Sequence, residues 1–329
     1  MKTAPQRRQA GIVLGRRRLL ERTRIFGHMA AMSVDNPSRP RLIDHLVLPT
    51  AKLAVARARL TKLGFTVAPE GQHPFGTKNA CVYLADGTFL EPLAQANDKI
   101  QHEAARRNSN VFAARDLAYR FRRGEEGMSA VVFGTEDAEA DHTVFMQEGI
   151  SAGPLLEFSR AFVDAEGRED KASFRLAFAA DLRAPDCFFF TCQRVGVPNV
   201  DRSALERHEN GAVRLKAAVL AAPDPFSFGP IVRAVSGAEI DGFHDDRFTI
   251  AAANAGIEMM TSQALYENFG TPSINDRGLQ ARAVVFGVPD LKATKSYLVS
   301  KGIACEKYRG RVIVLPAPGQ GAIFAFEAA

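Results

Sequence analysis

The chain is poor in the features that mark the common enzyme and membrane classes. Its 329 residues hold four cysteines, Cys81, Cys187, Cys192 and Cys305. None forms a Cys-x-x-Cys pair, which argues against a disulfide framework and for a reducing, cytoplasmic setting. No apolar run reaches the roughly 18 residues of a membrane span. There is no Gly-x-Ser-x-Gly elbow, no phosphate-binding Gly-Lys-Ser/Thr and no dinucleotide fingerprint, so no nucleotide cofactor is expected. An excess of positive charge is missing too, despite a net charge of +5. Residues 1–31 carry eight Lys/Arg against Glu21 alone, and the remaining residues carry a net −2. Nothing there points to nucleic acid.

What remains is the composition of an ordinary globular protein, 46% hydrophobic and 24% charged, long enough for two domains. Residues 1–40 read as a disordered basic extension. They contain Arg16-Arg17-Arg18 and end in Asp35-Asn36-Pro37-Ser38-Arg39-Pro40. Gly11-Ile12-Val13-Leu14 is too short for a signal-peptide core. A targeting leader, or a true start at Met29 or Met32, are the other readings.

Two strand-length apolar runs each contain one polar residue. Asp44-His45-Leu46-Val47-Leu48-Pro49 holds a histidine, and Phe89-Leu90-Glu91-Pro92-Leu93 holds a glutamate. A polar group in a buried strand must find a partner. Between the runs, Leu53, Val55, Ala56, Leu60 and Leu63 recur at helical spacing with Pro49-Thr50 as a cap. Phe65–Ala68 and Asn79–Leu84 read as strands, and Asp86-Gly87 as a hairpin turn.

The same strand–helix–strand–strand–strand order is expected three more times. A second unit starts near Met128, with strands at Ser129–Gly134, Leu155–Phe158, Ser173–Ala179 and Cys187–Gln193. A third starts at Val213, with Leu215–Leu220 first and Arg247–Ala253 and Ile257–Thr261 last. A fourth starts at Ala281, with Ala283–Gly287, Ile303–Tyr308, Val312–Leu315 and Ala322–Phe326. Residues 97–123 form a helical insertion rich in arginine. It is either a basic lid over an anionic ligand or a solvated face packed by its apolar side, which includes Phe112, Leu117 and Phe121.

This order, with His45 in the first strand and Glu91 in the last, resembles a module of the vicinal-oxygen-chelate superfamily. The likeness to its glyoxalase-like domains includes Gly71-Gln72-His73-Pro74 and Gly76-Thr77-Lys78-Asn79-Ala80. The resemblance implies an α+β fold of four βαβββ modules. These pair into two incomplete-barrel, glyoxalase/dioxygenase-like domains, at about 41–200 and 208–329. It also implies a small-molecule enzyme of the lyase or isomerase type, acting on a small oxygenated metabolite. The alternative is a non-catalytic binding protein that sequesters a metabolite or drug in an aromatic cup. Extradiol cleavage is disfavoured, because the second strand histidine it uses is missing. Partners are expected to be a small-molecule ligand, with neither nucleic acid nor membrane, in a monomer or a homodimer.

The candidate chemistry lies in the first domain. His45 and Glu91 can bind a divalent metal (zinc, iron, nickel or manganese), or Glu91 can accept a hydrogen bond from His45. Relatives take further ligands from the second module, where Ser129, Val131 and Phe133 offer nothing and Cys192 and Gln193 offer little. Glu91 is also a candidate base, assisted by His73. Thr77, Asn79, Phe89 and Gln193 are candidate ligand contacts. His73 is a candidate to ligate metal, move a proton or bind substrate through its ring, and reads equally as a surface-loop histidine. His208, in a turn resembling His-Pro-Asn-Gly-Ala, either closes over the pocket or caps the domain junction. In the second domain Glu258 and Glu327 stand near final-strand positions without an evident partner.

Overall fold

The computed structural model describes residues 39–106, 110–163, 169–197, 201–271 and 278–329. Residues 39–329 form one compact unit. The basic extension expected over 1–40 falls almost entirely outside the described residues.

The first apolar run is strand β1 (Ile43–Pro49), buried along its whole length. Helix α1 (Leu53–Lys62) follows and buries Leu53, Ala56 and Leu60. Thr50 does not cap it. Its hydroxyl donates to Glu126 Oε1 at 3.1 Å, and Lys52 holds the N-cap position without a side-chain bond. Phe65–Ala68 is irregular rather than a strand. Arg57 donates to the carbonyls of Val67 and Ala68, and the Phe65 ring packs on Phe286 and Phe324 of the second half.

The edge strand is instead β2 (Gly71–Gln72). The strand expected over Asn79–Leu84 is divided into β3 (Thr77–Asn79) and β4 (Val82–Tyr83). Both pair antiparallel with β5 (Phe89–Gln95) in one continuous register. Pro92 lies opposite the gap and has no N–H to donate, which interrupts the ladder there.

Two helices, α2 (Asp98–Arg106) and α3 (Val111–Arg123), separate the modules. Asn110 caps α3 by accepting from the Ala113 N–H. The arginines of α3 are largely committed to structure. Arg120 is buried and donates to Asp116 at 2.8 Å, Glu125 at 2.6 Å and the carbonyls of Thr50 and Leu93. Arg122 pairs with Asp186 at 2.6 Å. Phe112 is buried, whereas Phe121 is 92% exposed, contrary to its assignment to the packed side.

The second module comprises β6 (Ala130–Gly134), α4 (Ala138–Gln147), β7 (Leu156–Val163), β8 (Glu169–Ala179) and β9 (Phe188–Gly196). The third comprises β10 (Arg214–Ala222), α5 (Gly229–Ser236), β11 (Ile240–Phe243), β12 (Arg247–Ala251) and β13 (Gly256–Thr261). Helix α6 (Ser262–Phe269) leads on to β14 (Gln280–Val288), α7 (Leu291–Ser300), β15 (Glu306–Tyr308), β16 (Arg311–Val314) and β17 (Ile323–Ala328). Strand β11 and helix α6 have no counterpart in the sequence reading.

The strands form two sheets with one plan. In each module the first strand is parallel to the last, and the other two follow outward antiparallel. The first strands of two modules then join antiparallel, β1 with β6 and β10 with β14. The resulting orders are β2-β3-β5-β1-β6-β9-β8-β7 and β11-β12-β13-β10-β14-β17-β16-β15. This is the α+β fold of paired βαβββ modules in two incomplete barrels.

The halves are stitched by side chains. Asn254 bonds both the N–H and the C=O of Ile43, and Asn210 donates to the Leu63 carbonyl. Among the described residues no helix is long and apolar enough to cross a membrane. All four cysteines are unpaired.

Candidate functional site

The concave face of the first sheet encloses a cavity of about 100 Å³. His45 and Glu91 enter it because parallel pairing sets Phe89 beside His45 and Glu91 beside Val47, with alternate residues sharing a face. Phe112 and Phe190 line it and pack with Val47 and Leu93 in the apolar core behind.

Strand β1 departs from simple alternation. Ile43 opposes Phe133 and His45 opposes Val132, so Asp44 is the extra residue of a β-bulge. Consequently Asp44 lines the cavity together with its neighbour His45. Asp44 Oδ2 accepts from His45 Nδ1 at 2.7 Å. Because a carboxylate only accepts, Nδ1 carries the proton and Nε2 is turned toward Glu91. His45 Nε2 stands 3.5 Å from Glu91 Oε2. The imidazole stacks on Phe89, with centroids 4.5 Å apart, and meets the edge of Phe190.

Glu91 is fixed from the other side. Asn79 Nδ2 donates to its Oε1 at 2.6 Å. His73 Nε2 lies 3.7 Å from the same oxygen, and His73 Nδ1 is 2.8 Å from the Thr77 hydroxyl. Asp44, His45 and Glu91 are each only 5–6% exposed, so their mutual contacts act in a weakly screening environment. Burial works to raise the Asp44 pKa. The hydrogen bond from His45 and the charges of His45, Arg194 and Arg202 outweigh it and hold Asp44 below the usual carboxylate value. Burial, together with the charges of Arg160 and His45, pushes His73 down to about 3. His73 is therefore a neutral imidazole at physiological pH. Burial raises the Cys192 thiol well above its ordinary value.

The structure thus brings His45, Glu91, His73, Asn79 and Phe89 to one cavity. Thr77 is fully buried behind it, bonded to His73. Gln193 faces the other way. It accepts from the Ala138 N–H and donates to the Glu136 carbonyl, because alternation along β9 turns Cys192 and Arg194 inward instead. His208 stays out of the cavity and caps the junction. It accepts from the Thr66 N–H at 3.0 Å and donates to the Tyr83 carbonyl at 2.9 Å.

Four polar lining residues escaped the sequence reading: Asp44, Arg160, Arg194 and Arg202. Asp44 was legible only as a second polar residue beside His45, since a bulge leaves no mark in the pattern. Arg194 NH2 pairs with Asp44 Oδ1 at 2.6 Å and lies over the Phe89 ring.

Two donors 3.5 Å apart are spaced as two ligands of one ion at about 2.1 Å each would be. A catalytic site ordinarily takes about three protein ligands. The strands facing the pair present Val132, Phe190 and a thiol held protonated by burial. Among the described residues no three metal-binding side chains converge. His45 and Glu91 supply two donors, and His73 Nε2 lies 3.7 Å from Glu91 Oε1 as a further nitrogen facing the same carboxylate.

Residues 43–232, more than half of the chain, match the profile of the glyoxalase-like domain family. The protein belongs to that family, within the vicinal-oxygen-chelate superfamily. No curated protein matches it by sequence. Solved structures share the fold at low identity. A hypothetical protein from Staphylococcus aureus superposes with a TM-score of 0.59 at 12% identity, covering 87% of this chain and 99% of the other. A mutant of 4-hydroxymandelate synthase from Streptomyces coelicolor gives 0.55 at 12%, covering 88% and 94%. A catechol 2,3-dioxygenase gives 0.51 at 10%, covering 89% of each.

Proposed function

We propose that the protein is a small-molecule enzyme of the isomerase or lyase type, whose reaction begins with proton removal from a carbon beside a carbonyl. The observation that carries this reading is the buried pair of His45 Nε2 and Glu91 Oε2 at 3.5 Å, facing a cavity walled by phenylalanines and arginines. Each member is oriented by a separate partner, Asp44 or Asn79.

Glu91 is the base. It takes the proton from carbon while the adjacent carbonyl oxygen becomes an enol oxygen. His45, protonated on both nitrogens, gives its Nε2 proton to this oxygen, and Asp44, which still accepts from Nδ1, balances the imidazolium charge before the transfer. When the carbon that lost its proton bears a hydroxyl, Glu91 returns the proton to the former carbonyl carbon while that hydroxyl gives its own proton to His45 and becomes the new carbonyl, which completes an isomerisation. When the next carbon beyond the deprotonated one bears a leaving group, the enol returns its proton to His45 and expels that group, which completes an elimination. His73, neutral at working pH, is a positioning residue that steadies Asn79 and Glu91. The reaction belongs to the domain at 41–200, and the domain at 208–329 supports it.

The test is exchange in D₂O. Methylglyoxal, pyruvate and phenylpyruvate are incubated with the protein, and loss of the α-proton signal is followed by NMR. Wild-type protein is expected to accelerate exchange for at least one probe, and Glu91→Gln to lower that rate by about 10²-fold or more. The native melting temperature of the variant guards against misfolding. No exchange with any probe, alongside intact binding, would favour a non-catalytic binding protein. Metal analysis tests the other alternative. Stoichiometric zinc, iron, nickel or manganese, lost in both His45→Ala and Glu91→Ala, would make the pair ligands rather than an acid and a base.

A further inference from the structure

The cavity holds more positive charge than its own acids use. Of its three guanidinium groups, Arg194 is paired with Asp44 at 2.6 Å. Arg160 has no carboxylate within ion-pair distance among the described residues. Within the same set, its hydrogen bond runs from NH1 to Asn79 Oδ1, at 3.4 Å, and its carbon lies 5.8 Å from the Phe174 ring centre. Arg202 likewise lies over an aromatic ring, Tyr83, at 5.0 Å. An arginine carries five donors in a planar fork, so most of those on Arg160, which is half-buried in the cavity wall, are open to a ligand.

The chain makes room for this side chain. A Cβ at Gly71 on strand β2 would overlap Arg160 NH1 and stand 2.7 Å from Asn79 Oδ1. A side chain at this position would push the guanidinium end away from the amide. That amide is the same Asn79 that donates to Glu91 at 2.6 Å. A group held by the Arg160 fork is therefore one residue removed from the base.

We propose that Arg160 is the receptor for a substrate carboxylate, with Arg202 adding charge at the mouth. The substrate class is then a small carboxylic acid with an apolar, aromatic-sized tail and its reacting carbon near the carboxylate. This inference rests on the proposed enzyme function and adds the substrate's charge to it. The fork presents two parallel N–H donors to the carboxylate. The phenylalanine walls take the tail, and the reacting carbon faces Glu91.

Calorimetric titration with phenylacetate and its neutral isostere phenylacetamide tests the proposal. Wild-type protein is expected to prefer phenylacetate by about tenfold or more, less so at high salt. Arg160→Gln should abolish the preference while keeping the melting temperature. Gly71→Ala should weaken it with the guanidinium still in the chain. Equal affinity for the two probes, a preference that survives Arg160→Gln, or no binding of phenylacetate at millimolar concentration would each overturn the proposal. Glu91-dependent exchange in D₂O reads the enzyme assignment separately. Exchange that persists without a charge preference sinks only the carboxylate receptor. A preference without exchange sinks only the catalytic reading.

Discussion

The two sheets share a ladder and differ in what they place on its concave face. Both joining strand pairs slip at the same point. Ile43 and His45 oppose Phe133 and Val132 in the first sheet, and Leu215 and Ala217 oppose Phe286 and Val285 in the second. The registers therefore align Asp44 with Lys216, His45 with Ala217, and Glu91 with Glu258. On the far strand Cys192 aligns with Glu327.

Where the first cup turns an imidazole and a carboxylate to its cavity, the second pairs its acids with its own cations beside a cavity of about 290 Å³. Arg311 donates to Glu258 at 2.9 Å and to Glu327 at 2.7 Å, and Lys216 reaches Glu327 at 3.1 Å. The expectation that Glu258 and Glu327 lack partners is thus corrected. One fold yields a candidate reaction site or a neutralised ion cluster, according to whether its glutamates face imidazoles, as Glu91 does, or a guanidinium, as Glu258 and Glu327 do.

The largest expected effect concerns what the first half has and the second lacks, the helix α3 clamp. Arg120 and Asp116 are both nearly inaccessible, and Arg120 also holds two strand-end carbonyls. Removing one member of a buried pair leaves the other uncompensated. Arg120→Ala is expected to lower the unfolding free energy by about 3–5 kcal/mol in urea titrations. A loss below about 1 kcal/mol would mean that α3 merely rests on the sheet.

Next in size is the second cup. Burial acts to raise Glu327, but the bonds and charges of Arg311 and Lys216 hold it below its ordinary value. A depressed carboxylate stabilises the fold above its unfolded pKa, and that share is lost as pH falls through the folded value. Arg311→Gln should therefore cost about 2 kcal/mol near neutral pH, and less below about pH 4.5. Denaturation midpoints across pH would show this. A cost independent of pH would place the loss in packing instead.

The smallest effect lies at the seam between the halves. Burial holds His208 below its usual 6.5, and its two hydrogen bonds require the neutral ring. As pH falls, the unfolded chain takes the proton first. The stability gained from neutral His208 is complete above about pH 6.5 and drains away below it. His208→Gln removes the proton site, so it should cost about 1 kcal/mol or less at neutral pH and flatten the stability profile below about pH 6.5. An unchanged acid slope would remove His208 from the account.

The sequence determined the module order, the two polar positions His45 and Glu91, and the helices whose apolar residues recur every three or four positions. Those features are local, since period and breaker residues act within one element. It misjudged Phe65–Ala68, whose carbonyls are taken by Arg57, and Gln193, whose facing depends on the register of β9. Only the tertiary structure decided which charges meet. The bulge that turns Asp44 inward, the pairing of Arg194 with it, the freedom of Arg160 and the capture of Glu258 and Glu327 by Arg311 all join residues far apart in the chain. An ion pair depends on distances of a few ångströms, and only the packed sheets set those distances.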